Sequence, residues 1–149
     1  MKTAKPVISV LREAEAWSLL ARHRVGRIAY SLHDRVDIEP VHYAHDGEWI
    51  FGRTSMGTKL ATLAHHPWCA FEVDEVHGVF DWASVVVKGS FHLLDAEAGS
   101  PDNYRRAFEL MSAIVPETFS PDDPVPHRTI LFGIHAREIT GRAATTHPE

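Results

Sequence analysis

The sequence is poor in cysteine: Cys69 is the only one among 149 residues, so no intrachain disulfide can brace the fold. A reducing compartment fits that usage without being required by it. Long apolar runs are also missing. No stretch approaches the roughly 18 residues that a transmembrane helix needs. The N-terminal "MKTAKPVISVLREAEAW" carries lysines but no apolar core ahead of a small-residue cleavage site, so it does not read as a secretory signal, and the expected location is the cytoplasm. Positive charge is scarce. Lys and Arg number 15 against 20 Asp and Glu, for a net charge of −5 with histidines neutral. That balance argues against a non-specific nucleic-acid binder, which needs a basic face to displace counterions. Catalytic signatures are lacking too. There is no Walker A order, no nucleophile elbow and no helical His-x-x-x-His pair. His65 and His66 are adjacent and would point about 100° apart on a helix. His42 and His45 straddle a strand end, so no metal is expected.

What remains is an ordinary globular composition, 44% hydrophobic and 23% charged, with 11 histidines that make the net charge sensitive to pH. At 149 residues one domain is expected over the whole chain, with its core over about 9–142 and a flexible tail at 143–149. "SVLREAEAWSLLARHRVG" reads as a helix, with Ser9 as N-cap, Gly26 after the last turn, and Leu11, Ala14, Trp17, Leu20 and Ala21 on one face. "RIAYSL" places Ile28, Tyr30 and Leu32 on one face of a strand, and His33-Asp34-Arg35 turns it back. "DIEPVHYA" and "EWIF" follow as strands joined at Asp46-Gly47, a strong hairpin signal. Pro40 cannot donate to a ladder and should sit at an edge, a bulge or a gap. A short helix over about 58–65 ends at Pro67. "WCAFEVDE" and "WASVVVKGSFHLLD" are strands, with Gly89 marking a bulge or bend. "SPDNYRRAFELMSAIV" opens with Ser100 and Pro101 and reads as a second long helix. The four-proline stretch "PETFSPDDPVPHR" is a loop, with its mobility and its role open. "TILFGIHAREITG" is the last strand. Six strands with hairpin links predict a mainly β, largely antiparallel sheet with flanking helices, most simply closed into a barrel.

One segment holds unusual chemistry. "GRTSMGTK", residues 52–59, gathers Arg53, Thr54, Ser55, Thr58 and Lys59 at the mouth of a helix. Free backbone N–H groups, hydroxyls and a cation are what a phosphate monoester requires. Thr and Ser are equally ordinary helix caps, so spacing alone leaves a phosphate seat and a capped surface helix both open. "WASVVVKGSF" reads as a core strand in which Trp82, beside Ala83 and Ser84, could line a flat ligand.

Taken in order, "EPVHYAHDGEWIFGRTSMGTKLATLAHHPWCAFEVDE", "WASVVVKGSFHLLD" and "ILFGIHAREITGR" resemble the pyridoxamine 5′-phosphate oxidase-like family over roughly residues 9–142. Its branch of flavin-nucleotide-binding proteins, which includes the nitroimidazole-resistance proteins, is the most similar. The resemblance implies an FMN-binding, six-stranded antiparallel split β-barrel, and a homodimer with FMN at the subunit interface. By position, Thr54, Ser55, Thr58 and Lys59 would hold the FMN phosphate, with Arg53 as a second cation. Pro40, Val41, His42 and Tyr43 would lie along the isoalloxazine ring. Trp82, Ser84 and Val85 would approach from the dimer side. The implied activity is an FMN-dependent oxidoreductase acting on a small aromatic, nitro or quinone-type molecule, with His42 and Tyr43 as candidates for proton delivery. The alternative is a binding protein without turnover, loaded with haem, a deazaflavin or stored flavin. Two departures narrow the resemblance. Gly52 stands where the nitroimidazole-resistance pattern often has a histidine. The Arg, Tyr and Ser cluster that would hold a substrate phosphate near the C-terminus is absent, which speaks against vitamin B6 synthesis.

Overall fold

The computed structural model describes residues 5–55, 57–97 and 100–146; the side chains of Leu32, Thr58, Lys59, Leu60 and Ala64 lie outside that description. The chain order is β1 (Pro6–Val10), α1 (Glu13–Arg22), β2 (Val25–Leu32), β3 (Arg35–Asp46), β4 (Trp49–Thr54), α2 (Thr58–His65), β5 (Trp68–Gly78), β6 (Asp81–Leu93), α3 (Pro101–Ile114) and β7 (Ile130–Thr146). The strands form one antiparallel sheet in the order β1-β7-β4-β3-β2-β5-β6, and an extra β7–β6 pairing closes it. The closed ring has the six strands expected from the sequence. The seventh, β1, hangs outside it on the far half of β7.

The alternation of side chains sets which face of each strand turns inward. Ile28 and Tyr30 on β2, Val41 and Tyr43 on β3, Phe71 and Val73 on β5, and Val85 and Val87 on β6 are all buried in one cluster. Helix α1 adds Ala16, Leu19 and Leu20 to it, and α2 adds Leu63. The hairpins fall where the turn residues place them. Asp46 pairs with Trp49 across a turn in which Gly47 has φ +60°, and Leu32 pairs with Arg35 across a turn in which His33 has φ +55°. The bend expected at Gly89 is present as a slip in the β6–β7 register, from Lys88↔Glu138 to Gly89↔Ala136. A Cβ on Gly89 would lie 2.2 Å from the His135 carbonyl oxygen, so no larger residue fits the unshifted backbone.

Four expectations are corrected. Ser9 does not cap α1: it belongs to β1 and pairs with Ala143. The helix starts at Glu13 behind Arg12, whose backbone N–H and Nε both donate to Glu15 Oε1, at 3.2 and 2.8 Å. Its buried face is accordingly Ala16, Leu19 and Leu20, and Gly26 falls inside β2. Residues 143–146 are not a loose tail. They continue β7 between β1 and β6, with Ala144 fully buried; residues 147–149 lie outside the described set. Beyond these corrections, β4 and the start of β7 are buried on both faces. Helix α3 lays Ala107 and Met111 over Ala44, Phe51 and Leu131, forming a second cluster outside the barrel.

Candidate cofactor site at the split between β3 and β4

The β3–β4 ladder ends at Tyr43↔Gly52. Beyond that point β4 runs on to Thr54 paired with Ile130 of β7, while among the described residues β3 from Arg35 to His42 pairs only with β2. The two strands part, leaving one edge of β3 open beside the end of β4. Pro40 lies on this one-sided stretch, where its missing N–H costs no ladder bond. Gly52 sits at the fork. A Cβ there would meet the Phe132 ring at 2.5 Å and the His42 carbonyl oxygen at 3.0 Å, so a histidine at this position would require the Phe132 ring to move.

Helix α2 begins immediately after the split. Its N-cap is Gly57, which has no side chain to cap with, and no acidic residue lies in its first turn. A Cβ on Gly57 would have nothing within 4 Å. The first-turn N–H groups therefore carry the positive end of the helix dipole without a competing carboxylate. Thr54 is buried and Ser55 half-buried directly ahead of this turn. Thr58 and Lys59 occupy the first helical positions; their side chains are among those outside the description.

Strand parity sorts the remaining candidates. Pro40 and His42 are exposed, whereas Val41 and Tyr43 point into the core at 3% and 0% exposure. Four consecutive residues of a strand cannot line one flat ligand with their side chains. Tyr43 is a core residue. Its hydroxyl donates a short hydrogen bond to the Leu20 carbonyl, its ring meets the Phe71 ring edge-on at 4.9 Å, and burial pushes its pKa up. A proton-delivery role for Tyr43 is thus corrected: its hydroxyl is committed inside the protein. Val85 is likewise fully buried in the barrel and presents nothing outward.

Arg53 is also engaged elsewhere. It is 4% exposed. Its Nη1 and Nη2 donate to Asp123 Oδ1 and Oδ2 at 3.3 and 2.5 Å, Nε and Nη2 donate to the Arg128 carbonyl at 3.1 and 2.9 Å, and Nη2 also reaches the Val125 carbonyl at 3.3 Å. Those bonds spend the guanidinium on the proline-rich loop and remove Arg53 from the candidate phosphate cations. That loop is tied down at the same point. Asp123 accepts from the backbone N–H of Phe119 at 2.8 Å and of Val125 at 3.0 Å.

Trp82 and Ser84 lie half-buried on the outer face of β6. In the sheet order β6 is three strands from β3, a distance of about 14 Å at ~4.8 Å per strand step. One chain does not bring them together with His42. What lies between was missed from the sequence. Arg27 Nη1 is 3.2 Å from Asp74 Oδ1 and 3.5 Å from Glu72 Oε1, and Ser84 Oγ donates to Glu72 Oε2 at 2.8 Å. Burial, partly offset by the Ser84 hydrogen bond, raises the Glu72 pKa. The clue was alternation: Arg27, Glu72, Asp74 and Ser84 all have the outward parity of their strands. Around this network the same face exposes Val36, Ile38 and Trp68, at 80%, 62% and 62%. An open depression of about 380 Å³ runs between Val36, Trp68 and Lys88.

Among the described residues no group of three potential metal ligands comes together, and no helix is long and apolar enough to cross a membrane.

A six-stranded antiparallel barrel, split where β3 leaves β4 and plugged by short helices, is a split-barrel architecture. The model of the pyridoxamine 5′-phosphate oxidase family matches residues 12–143, and the chain belongs to that family. An uncharacterised protein of Rhizobium meliloti (strain 1021) is 28% identical over 145 residues, covering 92% of this chain and 95% of that one. Among solved structures, an FAD-binding protein from Mesorhizobium loti superposes with a TM-score of 0.76 at 22% identity, covering 95% of this chain and 99% of that one. The FAD-binding protein from Mycobacterium smegmatis superposes at 0.61 with 24% identity, covering 91% and 97%.

Proposed function

We propose that this protein is an FMN-binding oxidoreductase that works as a homodimer on a small aromatic, nitro or quinone-type molecule. The observation that carries the proposal is the start of α2 at Gly57, with no acidic residue in its first turn, directly behind Thr54 and Ser55 at the end of β4, where β3 has parted from it. A phosphate monoester suits the helix start; the rim of a flat ring suits the parting of the strands. Family membership and the FAD named for two fold neighbours support a flavin as the ligand.

In this reading Thr54, Ser55, Thr58 and Lys59 bind the phosphate, with backbone N–H groups of the first turn. Pro40 and His42 face the ring. His42 is the one candidate for proton delivery that stands exposed at the split. The flavin, when bound, supplies the hydride and electron transfer, and the protein supplies orientation and electrostatics. The homodimer answers the separation between His42 and the pair Trp82 and Ser84. A second copy laid on the apolar outer face would bring its own Trp82 and Ser84 toward the first copy's ring. The exposed Val36, Ile38 and Trp68 support burial of that face.

The test is to purify the protein, identify any copurifying ligand by mass spectrometry, and titrate the apo-protein with FMN, FAD, a deazaflavin and haem. Stoichiometric FMN binding, with reduction by a chemical donor and reoxidation by a quinone or nitroaromatic, is the expected result. A colourless protein that takes up no flavin ends the proposal. Preference for haem or a deazaflavin replaces the cofactor, and a bound FMN that reduces no acceptor replaces the enzyme with a flavin-binding protein.

A further inference from the structure

A second cleft, of about 400 Å³, opens between the end of α1, the β3 segment that still pairs with β4, and the last turns of α3. It belongs to neither the split nor the outer sheet face. Its volume is at the small end of the roughly 300–1,000 Å³ usual for ligand pockets. One wall is apolar, built from Ala44, Leu110, Ala113 and Ile114; the other carries Arg24 and His45. No carboxylate lines it.

The cation is held in place. Arg24 Nη1 donates to the carbonyls of Ala21 at 3.0 Å and His23 at 2.9 Å, at the C-terminal end of α1. Nε and Nη2 have no acceptor among the described residues. A guanidinium anchored through one nitrogen presents its remaining edge as two parallel N–H donors, the geometry that takes a carboxylate side-on. His45 is also fixed. Its ring stacks on Trp17 with centroids 4.9 Å apart, and its Nε2 lies 2.7 Å from the Gly47 carbonyl oxygen, so Nε2 is the donor and Nδ1 has no partner among the described residues. The neighbouring acid, Asp46, is neutralised by Arg106 Nε at 2.7 Å, which also straps α3 to β3 at the edge of the cleft.

We propose that this cleft binds a small amphipathic monocarboxylate, an aromatic or short aliphatic acid, with its carboxylate on the free edge of Arg24 and its apolar body against Leu110, Ala113 and Ile114. A cleft of about 400 Å³ holds on the order of a dozen waters at about 30 Å³ each, several of which such a ligand replaces. The proposal is independent of the flavin reading, because it uses none of the residues assigned to the flavin.

Titration of the full-length protein with benzoate and with hexanoate, followed by isothermal calorimetry and by tryptophan fluorescence, tests it. Saturable binding of at least one acid is expected, with a fluorescence change because Trp17 stacks on a lining residue. Benzamide and benzylamine should bind at least about tenfold more weakly, as should benzoate to Arg24→Gln, since each change removes a charge-assisted pair. Arg24→Lys should recover part of the loss. Ala113→Phe fills the cleft without touching any charge and should abolish binding while leaving the circular dichroism spectrum unchanged; it separates occlusion from any loss of fold in the Arg24 variants. Equal affinity of benzoate and benzamide, undiminished binding to Ala113→Phe, or no saturable signal with either acid would overturn the proposal.

Discussion

Arg53 Nη2 lies 2.5 Å from Asp123 Oδ2, a pair buried on both sides and joining the end of β4 to the middle of the proline-rich loop. Phe119, with φ +62°, completes the contact, its ring centroid 4.8 Å from the guanidinium carbon. The pair is stitched to backbone on either side, as a buried ion pair must be to offset its desolvation. The loop is thus fastened next to Thr54, the first residue of the proposed phosphate seat.

Replacing Arg53 by Met leaves the Asp123 carboxylate in the loop without its counter-charge. Breaking a buried pair in this way costs about 3–5 kcal/mol, so the urea midpoint of Arg53→Met should fall sharply with an unchanged slope. A midpoint within error of wild type would show that the pair carries no net stability.

The same pair predicts the behaviour in acid. The Arg53 hydrogen bond, helped by the backbone N–H groups of Val125 and Phe119, holds the Asp123 pKa at about 2 against an ordinary 3.8. A carboxylate depressed by folding contributes stability that is complete above its unfolded pKa and disappears as pH falls through the folded one. The contribution should therefore be present at neutral pH and lost between about pH 4 and pH 2. Asp123→Asn should flatten that part of the stability profile. Identical slopes for wild type and variant over this interval would remove Asp123 from the acid response.

Tyr43→Phe separates core from chemistry. The variant keeps the ring against Phe71 and deletes only the hydroxyl bonded to Leu20, leaving a buried carbonyl with one partner fewer. A loss of about 1–3 kcal/mol is expected, measured by chemical denaturation, with flavin uptake and turnover unaltered at temperatures where the protein stays folded. A large fall in turnover with unchanged stability would return Tyr43 to the active site.

These residues mark where sequence reading succeeds and where it stops. The barrel strands were legible because Ile28 and Tyr30, or Phe132 and Ile134, repeat with the period of a strand, and the hairpins because Asp46-Gly47 needs a positive φ. Parity was equally available at Pro40 to Tyr43, where it sets Val41 and Tyr43 apart from Pro40 and His42; the family pattern alone treats the four as a unit. Strand β1 was hidden because five residues become a strand only by pairing with residues 142–146, a contact that no local propensity encodes. Arg53 was misplaced for the same reason. Its partner lies 70 residues away in a loop, and in sequence a buried structural arginine beside Thr and Ser looks the same as a phosphate ligand. The polar network of Arg27, Glu72, Asp74 and Ser84 spans three strands, so it exists only once their register is known.

Lys59 tests the phosphate seat directly. With Arg53 committed to Asp123, Lys59 is the remaining cation of the segment at 52–59. Lys59→Ala should weaken FMN binding by about tenfold or more, the loss expected for one charge-assisted contact, while leaving riboflavin binding unchanged because riboflavin has no phosphate. Fluorescence quenching of both flavins by both proteins gives the four affinities needed. Equal losses for FMN and riboflavin would place Lys59 at the ring or in the fold instead of at the phosphate.

The outer face offers the last test, of assembly and cofactor binding together. Ile38 and Trp68 are exposed on the same face of the sheet as Ala29 and Ala70, which pair in register between them. A lysine at either position places a strongly hydrated charge on a surface that a second copy would have to desolvate, yet it costs the lone chain almost nothing, since both side chains already meet water. If FMN is completed by a second copy, Ile38→Lys and Trp68→Lys should each shift sedimentation from dimer to monomer with little change in thermal midpoint of the apo-protein, and FMN affinity should fall in step with the dimer fraction. Because binding and assembly would be linked, raising protein concentration or adding excess FMN should drive the variants back toward dimers. Monomeric variants that hold FMN as tightly as wild type would confine the flavin to one chain, and Trp82 and Ser84 would then have no part in the site.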